Sequence, residues 1–122
     1  MQINREPDAS SHAITAYAQG EVRMRDRIFV ASLIATRDTV IEDWSPAPVE
    51  QLTIDDFPAL LALAPEVVIL GTGPRQRMPP PGLFAAFATR GIGLEVMDTG
   101  AACRTYNLLL SELREVAVAL IL

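Results

Sequence analysis

From His12 to Trp44 apolar and polar residues alternate with the two-residue period of a half-buried strand. Ile14, Ala16 and Ala18 alternate with Thr15, Tyr17 and Gln19 up to Gly20, and Val22 and Met24 alternate with Arg23 and Arg25. Arg27 to Ala35 is a β-branched run, Thr36-Arg37-Asp38 reads as a turn, and Val40 and Ile41 return toward Trp44. The pattern predicts an antiparallel meander of three or four strands. Ser45-Pro46-Ala47-Pro48 ends it, because each proline removes a ladder donor and restricts the residue before it. Thr53 with Asp55 and Asp56 is a helix start, and Phe57, Leu60, Leu61 and Leu63 give that short helix an apolar side up to Ala64-Pro65-Glu66. The rhythm then changes. A strand over 67–71, a helix from about Leu83 to Arg90 closed by Gly91, a strand over 93–97, a helix from about Ala101 to Leu113 and a strand over 116–121 follow in turn. Strand, helix, strand, helix, strand implies parallel pairing through right-handed crossovers. The fold class is α/β, with an antiparallel amino-terminal part and a parallel carboxyl-terminal part.

The chain has 122 residues, the size of one domain over 1–122 with a core of its own. Half of the residues are hydrophobic, which argues against disorder. The longest apolar run, Val116 to Leu122, is strand-sized and far short of the roughly 20 residues of a membrane span. Met1 to Pro7 has no basic start followed by an apolar stretch, so the expectation is a cytoplasmic protein without a secretory leader or membrane insertion. The single cysteine, Cys103, excludes an internal disulfide, and with one histidine, His12, it leaves too few ligands for a transition metal. A net charge of −5 argues against nucleic-acid binding. All ten cationic residues are arginine, which removes Schiff-base and P-loop lysine chemistry while leaving guanidinium forks suited to carboxylates and phosphates.

Two segments carry the candidate chemistry. An apolar strand that stops at Gly71-Thr72-Gly73 places backbone amides at the carboxyl edge of a sheet, where open α/β folds bind ligands. The dinucleotide fingerprint asks for a third glycine where Gln76 stands, so two readings remain: a tight turn with positive φ, or an anion cradle over which Arg75 and Arg77 close. Asp98-Thr99-Gly100-Ala101 matches the tetrad of retroviral-type aspartic proteases. It runs directly into Ala102, Tyr106, Leu109, Leu110 and Leu113, a stripe at helical spacing, so Asp98 or Thr99 is read as a helix cap. Arg104, Asn107 and Ser111 fall opposite that stripe, and Arg104 either pairs with Asp98 or Glu112 or adds charge to an anion site. Cys103 near the helix start is either a stabilised thiolate or a buried inert thiol, and no base lies near it in sequence. Trp44 is a core aromatic or a partner anchor. Taken together, Gly71, Thr72, Gly73, Arg75, Arg77, Thr99 and Arg104 define a hypothetical surface for a small anion.

The run Leu70 to Gly73, then Gly91 to Thr99, then Ala102 to Leu109 with Glu112 and Arg114, resembles the small Mth-type domain of unknown function. The stretch ending in Ile41-Glu42-Asp43-Trp44 fits it too. That family includes archaeal and bacterial single-domain proteins, a vertebrate protein linked to adipogenesis and mitochondrial complex I assembly factor three. The resemblance implies a three-layer α/β fold with a mixed sheet, no known cofactor and no established reaction. For the mitochondrial relative it implies help in assembling a respiratory complex together with another protein. Two functional readings follow. One is a non-enzymatic interaction or assembly protein with a protein partner. The other is a small-molecule or anion-binding protein, an enzyme in one version, that uses the Gly71-Thr72-Gly73 turn and Arg104.

Overall fold

The computed structural model describes residues 12–122. The reading of Met1 to Pro7 lies outside the described residues. Strands β1 (Ile14–Ala18), β2 (Glu21–Met24) and β3 (Arg27–Phe29) form an antiparallel sheet in the order β1-β2-β3. The first hairpin turns through Gly20 at φ +84° and the second through Arg25 at φ +56°. Strands β4 (Leu33–Ala35), β5 (Val40–Ile41), β6 (Val67–Gly71), β7 (Gly93–Met97) and β8 (Val116–Leu120) form a second sheet in the order β5-β4-β8-β6-β7. In it β6 pairs in parallel with β7 and β8, whereas β4 runs antiparallel to both β8 and β5.

The expected meander is thus divided between two sheets. The run from Arg27 to Ala35 breaks at Val30-Ala31-Ser32, after which the chain crosses to the larger sheet and β4 and β5 supply its antiparallel edge. Alternation alone does not show the break, because both pieces bury apolar residues. All of β4, β6 and β8 are buried on both faces, which is why they read as continuous apolar runs.

Three helices complete the layers: α1 (Pro58–Leu63), α2 (Pro81–Ala88) and α3 (Thr99–Ser111). Thr53 caps a 3-10 turn over Ile54–Asp56 in a reciprocal capping box with Asp56, and Pro58 then opens α1 at a position where its missing N–H costs nothing. The predicted second helix starts two residues earlier than expected, at Pro81, for the same reason. On one face of the larger sheet Val68, Leu70, Ala117 and Ala119 pack against Phe57, Leu60, Leu83 and Phe87 from α1, α2 and their approach. On the other face Val67, Ile69, Val118 and Leu120 meet Ala102, Tyr106 and Leu110 of α3 together with Val22, Met24 and Phe29 of the small sheet. The result is a three-layer α/β structure with a mixed central sheet. Trp44 is a core aromatic: its ring lies 5.5 Å from that of Phe57, and its indole N–H donates to the Asp56 carbonyl at 2.8 Å.

Two expectations for α3 need correction. Leu113 lies beyond the helix at φ +60° and is 81% exposed, so the buried stripe is Ala102, Tyr106 and Leu110. Asn107 does not face solvent with Arg104 and Ser111. Its side chain accepts from the Ile14 amide at 2.8 Å and donates to the Ile14 carbonyl at 2.6 Å, where a bulge after Ile14 interrupts the β1–β2 register.

Helix α3 approaches β6 closely at Gly71. A Cβ there would stand 3.0 Å from the Ala102 Cβ, 3.0 Å from the Thr99 Cα and 3.1 Å from a Leu120 methyl. Two of these neighbours are tied to the helix backbone and cannot yield. Gly71→Ala is therefore expected to destabilise the fold by about 1–3 kcal/mol in urea unfolding, the usual cost of overpacking a filled core. Gly82→Ala, where the added Cβ meets nothing within 4 Å, serves as the control and should leave the midpoint nearly unchanged.

Candidate functional site

The two glycine-containing motifs meet at the carboxyl ends of the parallel strands, as the crossover topology requires. Gly71 ends β6, and its carbonyl accepts from the Ile121 amide at 2.9 Å, just past β8. Thr72 follows, 1% exposed, with its amide donating to the Met97 carbonyl of β7 at 3.0 Å. Its hydroxyl donates to the Arg75 carbonyl at 2.8 Å and accepts from the Arg77 amide at 3.0 Å, which folds the 72–77 loop back on itself. Gly73 takes φ +102°, the turn conformation that favours glycine. Its amide donates to the Thr99 hydroxyl at 2.7 Å, and its carbonyl accepts from the Thr99 amide at 2.9 Å. The fully buried Thr99 hydroxyl then donates to the Ile121 carbonyl at 2.9 Å.

Gly71, Thr72, Gly73 and Thr99 are therefore brought together, and their polar atoms are spent on one another. The amides of Thr72, Gly73 and Thr99 all point at protein acceptors. The arginines are not brought together with them in one concavity. Arg77 leans toward the layer of α1 and α2, where its guanidinium makes a forked pair with Glu50 at 2.9 and 2.5 Å. That hydrogen bond holds the Glu50 carboxyl below its usual range, but both partners are solvated, so the pair contributes little to stability. Arg75 is exposed on the same loop. Arg104 is exposed on α3, the helix that covers the opposite face of the sheet, and forms no salt bridge among the described residues.

Asp98 is the cap of α3, its carboxylate accepting from the Ala101 amide at 2.9 Å. With Thr99–Ser111 helical, the protease-like tetrad is a helix entry. Cys103 is buried beneath the same helix. Loss of solvent pushes its thiol up to about 12, against the pull of the neighbouring Arg104 charge, so it is a protonated and inert group at neutral pH. Burial likewise raises the Tyr106 phenol, which donates to the His12 carbonyl at 3.0 Å. No group of three or more His, Cys, Asp or Glu among the described residues is placed to hold a metal.

The residues that sequence reasoning passed over are the ones that hold the small sheet and the β4–β5 turn to α3. Besides Asn107 they include Arg37, whose guanidinium donates to the Leu110 carbonyl at 2.5 Å while its own carbonyl accepts from the His12 amide at 3.0 Å. One signal was present: asparagine is a poor interior helix residue, and in mid-helix it commonly owes its place to a tertiary hydrogen bond.

The model of the DUF498/DUF598 family, described as a protein of unknown function, matches residues 14–121. Among curated relatives the bovine (Bos taurus) NADH dehydrogenase [ubiquinone] 1 alpha subcomplex assembly factor 3 is 31% identical over 121 residues, covering 98% of this chain. The chain spans 65% of that relative's length. Among solved structures, a Xanthomonas campestris protein is 42% identical with a TM-score of 0.77, over 99% of this chain and 92% of that one. A Bordetella pertussis protein described as a Mth938-like domain is 28% identical with the same TM-score of 0.77, over 99% of this chain and 92% of its own.

Two measurements test this account of the site. Thr99→Val removes an acceptor from the Gly73 amide and a donor from the Ile121 carbonyl, and should cost about 2–4 kcal/mol in chemical unfolding. Thr99→Ser, which keeps the hydroxyl, should stay within about 1 kcal/mol of the parent after loss of one methyl. Iodoacetamide at pH 8 should label Cys103 in the folded protein on the order of a hundredfold or more slowly than in the unfolded chain. Because the folded thiol value is raised, this group's contribution to stability is full below the ordinary thiol range and is lost as pH climbs from there toward 12.

Proposed function

The chain belongs to the DUF498/DUF598 family, and from that premise we propose that it is a non-enzymatic assembly protein that acts by binding a protein partner during the building of a respiratory NADH dehydrogenase. The observation that carries this reading is the 31% identity with a complex I assembly factor over 98% of the chain, from the small sheet through β8. The geometry of the carboxyl edge supports it. In an enzyme of this topology the turn amides face a ligand; here the amides of Thr72, Gly73 and Thr99 serve the protein itself. The anion-binding alternative rests on Arg75, Arg77 and Arg104, and has less support because Arg77 is engaged by Glu50 while Arg104 lies on the other side of the sheet. No helix among the described residues is long and apolar enough to cross a membrane.

Deletion of the gene in the organism that encodes it tests the proposal. Native gels of solubilised membranes should show the NADH dehydrogenase reduced by half or more, with subassemblies accumulating, and an intact gene supplied in trans should restore it. A complex unchanged in amount and rate of assembly would overturn the reading.

A further inference from the structure

Helices α2 and α3 end in the same way. After α2 the Ile92 amide donates to the Phe87 carbonyl at 3.1 Å and the Gly91 amide to the Ala88 carbonyl at 2.9 Å. After α3 the Arg114 amide donates to the Leu109 carbonyl and the Leu113 amide to the Leu110 carbonyl, each at 3.0 Å. This pair of bonds satisfies the last helical carbonyls and puts the first residue past the cap at positive φ, where glycine is the usual occupant. After α2 that residue is Gly91, at φ +72°; after α3 it is Leu113, at φ +60°. A β-carbon in that conformation crowds the following carbonyl, a cost that glycine does not have. Burial does not offset it, because Leu113 is 81% exposed and joins neither apolar cluster of the core.

The surroundings of Leu113 are apolar and acidic. Leu108, 58% exposed, stands one turn back on α3, and its carbonyl accepts from the Glu112 amide at 3.2 Å. Arg114 and Glu115, next in the chain, form part of the wall of a cavity of about 200 Å³ whose apolar side is Leu63, Pro65 and Val116. Glu66 holds the Arg114 guanidinium at 2.5 Å, and Arg37 and Asp38, which also line the cavity, are of opposite sign. Glu112 and Glu115 are exposed and form no salt bridge among the described residues. The end of α3 therefore sets two uncompensated carboxylates beside its exposed leucines.

We propose that Leu113, with Leu108 beside it, anchors a docking surface for a protein partner that presents an apolar pocket rimmed by basic side chains. A second copy of this chain docking through the same surface would set Glu112 and Glu115 against themselves, and an anionic membrane would repel them too, so charge selects a basic protein surface. The leucine costs the free protein stability and is buried only when the partner covers it, which is the pattern of strain kept at a functional position. The inference rests on the reading of the chain as an assembly protein, which makes the partner a subunit of the NADH dehydrogenase.

Leu113→Gly separates the anchor from the fold, because it should relieve the backbone and raise the melting temperature by roughly 2–5 °C. In cells lacking the gene, the parent sequence supplied in trans should restore the NADH dehydrogenase, whereas Leu113→Gly at equal abundance should restore no more than about half as much. Glu112→Lys combined with Glu115→Lys should have the same effect with Leu113 in place. Benzoylphenylalanine in place of Leu113 should photocrosslink in living cells to a subunit of that complex, and in place of Gly82, exposed on α2, it should not. A Leu113→Gly protein that melts no higher than the parent, or either variant restoring the complex as fully as the parent, would overturn the proposal and leave the assembly reading standing. So would adducts in equal yield from both positions, or none from position 113. Loss of the gene without effect on the complex would overturn the assembly reading, and this proposal with it.

Discussion

Everything at the carboxyl end of the central sheet depends on two buried threonine hydroxyls. β6 is flanked by β8 on one side and β7 on the other, and beyond its last residue there is no ladder to hold the three chains in register. The Thr72 hydroxyl donates to the Arg75 carbonyl and accepts from the Arg77 amide, closing the loop that leaves β6, and Thr99 ties the Gly73 turn to the residue after β8 through its hydroxyl. A buried backbone group without a partner costs about as much as several favourable contacts contribute, so these hydroxyls decide whether the turn can be buried at all. The side-chain inventory closes here: among the described residues no buried side-chain nitrogen or oxygen lacks a partner.

The same constraint fixes the position of α3. Thr99 is its first residue and Asp98 its cap, so the bonds that close the turn also set where the helix starts. Gly71 lets the helix come down onto β6, with Ala102 filling the space that a β-carbon would take. From that seat α3 offers Asn107 to Ile14 and Tyr106 to His12, and the small antiparallel sheet docks on it. A bond network at one end of the sheet thereby determines how the amino-terminal third of the described chain is held.

The parallel half of the fold was legible in the sequence because its signals are local. Apolar runs of strand length, glycine stops and a capping aspartate located β6, β7, β8 and α3 to within about two residues, the ordinary uncertainty of such boundaries. The division of the meander was not legible, since β3 and β4 both bury apolar residues and nothing in their periodicity says which sheet receives them. Asn107 misled for a related reason: helical spacing put it with Arg104 and Ser111 on a polar face, and only the docked sheet turns that flank into an interior. At the candidate site, sequence brought the right backbone elements together. It could not show that Arg77 would be drawn to Glu50, from a segment more than twenty residues away.

The residues through which the chain resembles the Mth-type domain include Gly71, Thr72, Gly73, Asp98, Thr99 and Ala102. Each has a structural task in the turn, the cap or the helix seat. A motif of this kind is a signature of the fold, because any chain that closes the sheet in this way needs a glycine under the helix and a hydroxyl behind it. It does not by itself encode a reaction, and members of one such family are free to differ in what they bind. In this chain the buried polar groups at the carboxyl edge of the parallel strands are committed to holding the fold together. What remains available for recognition is peripheral: the uncharged helix α2 and arginines whose guanidinium groups reach solvent. Those are features suited to meeting another polypeptide, and they agree with a family member that is named for assembling a complex.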